Sequence, residues 1–532
     1  MTPGRPRSRR RPCRVLVVAA AGYGKTASAE ADLADDGLRC SAAQVLALGT
    51  PVSRPLVVED LHQVCAGERV EVLQRLAALA DSVPVTITSR EPLDRTSRGM
   101  LRGQVFERGP GDLALTGPAI ARVLADEYGI ADPEAPARIH ALTRGWPALV
   151  HFAADALSRR PGDDLAAALT RPASAAAAWL QNDVLSTLPG DVAGLLSALA
   201  DLDPLTEDLV GRRLGGHGPR PEGSAFAWLC RVGLLVPHPR LDLLGREGFS
   251  VVPAVAMVLT RARAGAATDP ARLVSAARWY EHHGHPFAAA DAYARAGDGA
   301  RAMSLVDARG AEMIAHGDAP GIVTLIGRAE AGSVTLASSR INAEALHMSG
   351  DSTAAQRAYA PLAAAADLDG WDPGLAHRLA AVHHTQGTLR AALDVLDRVP
   401  PGTLTTDSDG IHWRACRVNV LSMLGHDEQA RDLAASTLAL AEHATDPRSL
   451  TAAHQAMAKT SSGARKQAHL GLALAAAKQA GDVVSAARIL GNQSFVLLAA
   501  ASYTEAVGVS REAVRAAEIA RPTGALIAAL HN

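Results

Sequence analysis

The sequence predicts a multidomain chain of the α/β plus α class, with a parallel sheet near the N-terminus and all-α repeats filling the second half. Three observations carry that reading. A buried-strand pattern, Val15–Val18, runs into a glycine-containing turn and a Lys-Thr pair. Two further β-branched runs, Leu56–Val58 and Val83–Thr88, each end in polar residues. Glycines then recur at Gly284, Gly317, Gly350, Gly387, Gly425 and Gly463, at spacings of 33, 33, 37, 38 and 38 residues. Composition agrees: only 6 Phe, 6 Trp and 6 Tyr stand among 532 residues, so the apolar share is mostly Ala, Leu and Val. Such cores suit closely packed helices better than aromatic-rich sheets. The length also exceeds what one core supports, roughly 250–300 residues.

Several function classes are disfavoured at once. Charge is nearly balanced, 53 basic against 55 acidic residues for a formal −2, which argues against a wholesale nucleic-acid coat. The longest apolar runs, Val15–Ala21 and Phe495–Ala501, fall far short of the roughly 18–20 residues of a membrane span. Cys13, Cys40, Cys65, Cys230 and Cys416 are scattered and form no CxxC pair. That pattern points to a reducing, cytoplasmic setting rather than a disulfide framework or zinc site. The first fourteen residues carry six arginines, but the apolar stretch behind them leads directly into Gly22-Tyr23-Gly24-Lys25-Thr26, which no signal peptide needs. Residues 1–13 read as a solvated tail.

The first element in order is the strand, glycine turn and Lys-Thr pair, followed by a helix-compatible Ala27–Ala34. That succession is the context of a phosphate-binding loop. Glycines let backbone N–H groups of Ala21, Gly22, Tyr23 and Gly24 turn around phosphates, Lys25 would reach the outer phosphates, and the Thr26 hydroxyl would ligate Mg²⁺. Ala19 stands where the generic pattern has its first glycine. The second strand ends in Glu59-Asp60, carboxylates able to hold Mg²⁺ and polarise a water, and so assigned the catalytic and metal roles. The third ends in Ser89-Arg90, where Arg90 would sense a terminal phosphate. A solvated acidic turn and a surface arginine are the plainer readings of these two.

Together AAGYGKT, VVEDLH, TITSREP, GDLALTGPAIARVLADEYG and TRGWPALV resemble the MalT-like, LuxR-family large ATP-binding regulators of the STAND class. The resemblance implies a P-loop ATPase with a helical lid over 14–175, using ATP/ADP and Mg²⁺. It makes Thr143–Pro147 the motif closing the lid, with Pro147 near the adenine; the plainer reading is a Gly-Trp-Pro turn with Trp146 packed. Two departures bear on hydrolysis. The family's acidic pair is usually Asp-Asp, and only 34 residues separate Lys25 from Glu59. The short gap suggests that a helix and strand are missing between Ala34 and Pro55, so binding is expected more firmly than turnover.

Ala175–Leu188, Ala193–Leu202, Leu205–Leu214 and Ala225–Val236 read as short helices, followed by a hairpin-like Leu241–Val252. The resemblance assigns 176–265 to a winged-helix-like module. Its arginines, Arg212, Arg213, Arg220 and Arg231, are spread out, which favours a packing module over a groove reader.

From residue 266 to 532 the glycine period is that of a tetratricopeptide-like solenoid: helix, glycine turn, helix, each unit burying its apolar face on the next. A further turn is expected near Ser502. Alanines after the turns (Ala288, Ala354, Ala391, Ala430, Ala506) permit close helix approach. A concave surface of this kind suits an inducer, small molecule or protein, or another copy of the chain. His282, His283 and His285 read as exposed turn histidines. Arg521–Asn532 looks like the opening of another repeat, and no segment matches the LuxR-type DNA-reading helix pair. The solenoid thus looks truncated, and DNA contact would need a C-terminal domain absent here. The expected function is an ATP-binding switch whose repeats sense an inducer or partner and which self-associates in the ATP state. The alternative is a repeat scaffold with a degenerate ATPase core. Neither involves a membrane.

Overall fold

The computed structural model describes residues 14–33, 37–49, 51–160, 162, 164–172, 174–213, 224–263 and 269–520. The arginine-rich tail 1–13, Arg220 and the segment 521–532 lie outside them. The chain divides into two compact units, Met1–His238 with Gly248–Ala267, and Pro239–Glu247 with Thr268–Asn532.

The first unit is built on a five-stranded parallel sheet of order β2-β3-β4-β1-β5. Its strands are β1 (Arg14–Val18), β2 (Leu38–Ser41), β3 (Leu56–Glu59), β4 (Val85–Ser89) and β5 (Val105–Arg108). Val15–Val18 is buried throughout, as a central parallel strand with both faces covered must be. The register Val18↔Ser89 brings the ends of β1 and β4 to one edge, beside the end of β3. The loop after β1 therefore opens among the carboxyl ends of its neighbours, where α/β sheets place ligands.

Helices α1 (Lys25–Glu30), α2 (Ala66–Leu79) and α3 (Arg95–Met100) accompany the sheet. After α4 (Pro110–Leu113) come α5 (Gly117–Tyr128), α6 (Ala135–Thr143), α7 (Pro147–Arg159) and α8 (Leu165–Thr170), packed around Ile120, Leu124, Ile139, Val150 and Leu165. Next follow α9 (Ala175–Trp179), α10 (Gly190–Leu199), α11 (Glu207–Arg213) and α12 (Ala225–Val232). The strand β6 (Leu235–Pro237) leads to α13 (Pro239–Leu243), β7 (Phe249–Val251) and α14 (Pro253–Ala262).

Four expectations change here. The helix expected over Ala27–Ala34 is the shorter α1, which ends in a turn at Ala31–Leu33. A strand is not missing between Ala34 and Pro55: β2 lies there at the sheet edge, followed by a 3₁₀ helix, Ala42–Ala47. The helix expected at Ala175–Leu188 is broken after Trp179 into a π turn and a 3₁₀ turn. Leu241–Val252 is not a hairpin: Leu241 is helical in α13, and β7 pairs antiparallel with β6.

The second unit contains seven helical hairpins among the described residues. They are α15 (Pro270–His282) with α16 (Pro286–Arg295), α17 (Gly299–Ala315) with α18 (Ala319–Arg328), and α19 (Leu336–Met348) with α20 (Ser352–Asp369). Then come α21 (Pro373–Thr385) with α22 (Leu389–Asp397), α23 (Ser408–Met423) with α24 (Asp427–Ala444), α25 (Pro447–Thr460) with α26 (Gly463–Ala480), and α27 (Val483–Ala499) with α28 (Tyr503–Ala520). The recurring glycines sit at the turns inside these pairs. At five of the six recurring glycines the N–H of the next residue reaches back five residues, as in Asp351 N to Leu346 O at 3.0 Å and His426 N to Leu421 O at 2.9 Å. After Gly350 that residue also caps the next helix: Asp351 Oδ1 accepts the Ala354 N–H at 2.8 Å.

The solenoid closes on its own beginning. Val483, Val484 and Leu490 of α27 and Ala513–Ala520 of α28 form one core with Leu243 and Leu244, with Met348 packed against it. A Cβ on Gly317 would lie 3.1 Å from Ala520 Cα, and one on Gly481 would lie 2.9 Å from His316 Nε2. Arg515 pairs with Asp242, and Arg240 donates to Asp318 at 2.8 Å and to the His316 carbonyl at 3.3 Å. Of the three turn histidines, His282 and His283 are exposed while His285 is buried beside Trp279 and Tyr280, because its side chain fills the hairpin joint.

Candidate functional site

The loop between β1 and α1 is held from two sides, entirely within the first unit. The Ala19 N–H donates to Ser89 O at 3.3 Å, and the Ala20 N–H donates to Val232 O at 2.9 Å, at the end of α12. From α7 and the turn before it, Trp146 Nε1 donates to Ala21 O at 3.0 Å and the Ala148 N–H to Gly22 O at 3.0 Å. The Tyr23 ring stacks on Trp146 at 4.6 Å, and its hydroxyl donates to Gly233 O at 2.7 Å. Burial pushes that hydroxyl far above the ordinary tyrosine range, so it stays a donor. Trp179 closes the aromatic cluster against Trp146 at 5.8 Å.

The amides of Ala19 and Ala20 are spent in these clamps, but from Ala21 onward the clamps use carbonyls and the Tyr23 side chain, which leaves the amides. Among the described residues, none supplies an acceptor to the backbone N–H groups of Ala21, Gly22, Tyr23, Gly24, Lys25, Thr26 or Ala27. A run of amides with no partner suits an oxyanion. α1 is only six residues long, so its dipole adds little, and anion affinity would rest on the loop amides and the cations beside them.

Lys25 is 8 % exposed, and its ammonium donates to Ala20 O at 2.8 Å. Burial pulls its pKa down to about 8; Arg90 pushes the same way and Asp60 opposes. Lys25, Asp60 and Arg90 therefore share one electrostatic neighbourhood, at the ends of β1, β3 and β4. Among the described residues the Arg90 guanidinium has no carboxylate partner. Asp60 stands in the left-handed region at φ 56, held by its N–H donating to Thr88 Oγ1 at 3.1 Å. Its carboxylate lies beside the Gln63 amide (3.0 Å) and His62 (3.9 Å). Non-glycine residues in this region concentrate at functional turns.

Glu59 is placed differently from Asp60. Its carboxylate takes a bidentate pair from Arg39 of β2, at 2.8 and 3.0 Å, and Arg39 also pairs with Glu30. A carboxylate with both oxygens on a guanidinium is a poor metal ligand until that pair opens. Thr26, in the first turn of α1, is exposed. Pro147 is half-buried at the first position of α7, with its Cγ 4.0 Å from where a Gly24 Cβ would lie. The structure thus gathers residues 21–26, Asp60, Arg90 and Pro147 around the loop and ties Glu59 to the sheet edge.

Sequence reasoning passed over His62. Its Nδ1 accepts the Arg90 N–H at 3.3 Å. Burial drives its pKa down to about 4, against the pull of Asp60 and with the push of Arg90, Lys25 and Arg69, so it is neutral at physiological pH. It is the last residue of VVEDLH, and its place one turn past an acidic strand end was the available signal. Arg39 left none, because a surface arginine on an edge strand has no distinctive pattern.

No family model matches this chain, and no curated protein matches it. Among solved structures it is similar to the crystal structure of a Signal Transduction ATPase with Numerous Domains (STAND) protein with a tetratricopeptide repeat sensor from Pyrococcus horikoshii. That likeness has 13 % identity and a TM-score of 0.29, over 97 % of this chain and 76 % of that one. Among the described residues no helix is long and apolar enough to cross a membrane.

Proposed function

We propose that this chain is an ATP-binding signal-transduction switch of the STAND type, resembling the MalT-like LuxR-family regulators, whose repeats sense an inducer or partner. The observation that supports it most is the loop itself: partnerless amides over residues 21–27, beside buried Lys25 and uncommitted Arg90. Phosphates would be held by those amides, Lys25 and Arg90, and the base would lie against Pro147. Thr26 and Asp60 fit Mg²⁺; Glu59 does so only once Arg39 releases it. The bound ion would offset phosphate charge. The aromatic clamp of Tyr23, Trp146 and Trp179, with the bonds to Val232 and Gly233, gives the lid (to about residue 175) and the winged-helix-like module (176–265) direct contact with the nucleotide loop. On this reading ADP keeps a closed form, and an inducer on the repeats (266–532) favours an ATP form that self-associates, in a reducing cytoplasm. The coupling required is about 1–3 kcal/mol. Transcriptional output would pass through a DNA-binding domain outside this sequence.

Equilibrium binding of ATP and ADP tests the proposal. The Lys25→Ala chain should bind about 100-fold more weakly or worse, while its helical signal in circular dichroism is unchanged. Undiminished binding in that variant would overturn the assignment. The pair Arg39–Glu59 favours binding over turnover, and a scaffold with a degenerate ATPase core is the reading at the limit of that trend. Arg39→Ala should raise ATP hydrolysis several-fold with affinity unchanged; a chain that neither binds nor hydrolyses ATP would favour the scaffold.

A further inference from the structure

The period relates His347, Thr385 and Met423, which stand 38 residues apart near the ends of the first helices of successive hairpins, and the fold adds side chains from later hairpins to them. His347 and Thr385, at the ends of α19 and α21, meet at 3.0 Å through Nε2 and Oγ1. His384 Nε2 lies 3.1 Å from Met423 Sδ at the end of α23, and that methionine is 48 % exposed. From the other side, Met348 packs against the core that Val484, Ala487 and Leu490 of α27 help to form, and Arg488, between them in sequence, lies near enough to His347 and His384 to act on both. Ala458 belongs to one core with Ala486 and Ile489 of α27, and its neighbour Lys459 at the end of α25 lies near enough to His384 to act on it. The first helices of five consecutive hairpins therefore deliver His347, His384, Thr385, Met423, Lys459 and Arg488 to one neighbourhood.

The charges there do not cancel. Among the described residues no carboxylate bonds Lys459 or Arg488; Arg488 makes a single contact, to Ser485 Oγ at 3.3 Å within its own helix. Other arginines of the unit, such as Arg328 and Arg390, also lack a carboxylate partner among the described residues; Arg488 differs from these in lying beside two half-buried histidines. Some arginines are matched: Arg378 with Glu344 and Asp409, Arg398 with Asp367, Arg240 with Asp318. Glu344, the acid closest to His347, is thus already committed. Burial first, with Arg488 on both and Lys459 on His384, holds His347 and His384 below the ordinary histidine range. Each neutral ring has one N–H, which His384 gives to Met423 Sδ and His347 to Thr385 Oγ1, whose own hydrogen goes to Val382 O; a ligand oxygen would take over these donors. A last-turn position complements helix carbonyls and accounts in part for Lys459. It does not account for Arg488, in the second turn of α27.

We propose that this cluster is a binding site for a small anionic molecule bearing a carboxylate or phosphate group, held by Lys459 and Arg488 with His347, His384 and Thr385 as hydrogen-bond partners. Met423 supplies an adaptable apolar wall for the ligand's remainder. Because α19, α21 and α23 belong to the third, fourth and fifth hairpins and α27 to the seventh, an occupied site would tie the middle hairpins to the last one. This deepens the reading of the repeats as the sensing unit and rests on it.

The test is calorimetric titration of the full chain with inorganic phosphate and, separately, with succinate, at constant ionic strength. Both are run in the Lys25→Ala background, which weakens anion binding at the loop after β1, and any binding left there is indifferent to substitutions at Lys459 and Arg488. Saturable binding of either anion is expected, weakened about tenfold or more by Arg488→Gln and likewise by Lys459→Gln. Both side chains are exposed, so unchanged thermal unfolding should accompany the loss. Binding of phosphate alone assigns a phosphate ester, and binding of succinate alone a carboxylic acid. No saturable binding of either, or binding indifferent to both substitutions, overturns the proposal. ATP titration of the wild-type chain, done alongside, decides the nucleotide switch separately.

Discussion

The loop after β1 and the turns inside the repeat hairpins both place a glycine in the left-handed region, for different physical reasons. At Gly425, φ 84, a Cβ would meet nothing within 4 Å. The turn asks only for a backbone conformation, and the helices it joins are held by their own apolar faces. At Gly22, φ 71, a Cβ would fall 2.5 Å from Ala148 Cβ and 2.8 Å from the Trp179 ring. There glycine answers a packing demand as well, since α7 and Trp179 press on the loop backbone. The turn at Gly425 uses glycine to reverse the chain; the loop after β1 uses it to let α7 and Trp179 sit on it. Chain reversal can be repeated with substitutions, whereas a packed loop tolerates few.

The largest expected effect follows from that contrast. Gly22→Ala should destabilise the first unit by about 3 kcal/mol, combining overpacking with a left-handed alanine, as read from the urea midpoint of that unit. A cost below about 1 kcal/mol would mean that the lid can lift from the loop freely. Gly425→Ala should cost only about 1 kcal/mol in the repeat transition, because the backbone alone objects. Smallest is the seventh turn, where Ala501 itself stands at φ 57. Ala501→Gly should stabilise the repeats by about 0.5 kcal/mol, strain relief being partly offset by the freer unfolded chain. A loss of stability there would refute the view that this turn, like the one at Gly425, makes a conformational demand only.

Much of the fold was legible because its signals are local. Val15–Val18, Leu56–Val58 and Val83–Thr88 are short apolar runs that only a buried parallel strand accommodates, and they became β1, β3 and β4. Edge strands are less hydrophobic: β2 (Leu38–Ser41) and β5 (Val105–Arg108) alternate polar residues and were not singled out. The hairpin period was legible because each turn needs its own chain reversal. Closure of the solenoid was not, since Val483, Ala520 and Leu243 are ordinary core residues whose partners lie hundreds of positions away. At the site, the loop and Asp60 followed from spacing. The engagement of Glu59 by Arg39, and the neutral His62 under Arg90, depend on three-dimensional pairing that spacing does not encode.

The central claim is that the buried Lys25 receives the phosphates, and proton linkage tests it most directly. With its pKa at about 8, Lys25 is half deprotonated at pH 8 in the free chain. A phosphate favours the charged form and must raise that pKa, so binding should take up about half a proton at pH 8 and progressively less toward pH 6.5. Affinity should fall as pH rises above 8. ATP calorimetry at pH 8 in two buffers of different ionisation enthalpy reads the uptake, with Lys25→Ala as the control. Proton uptake on Lys25 gives the wild-type chain a buffer-dependent heat. A wild-type binding heat independent of buffer at pH 8 would contradict it.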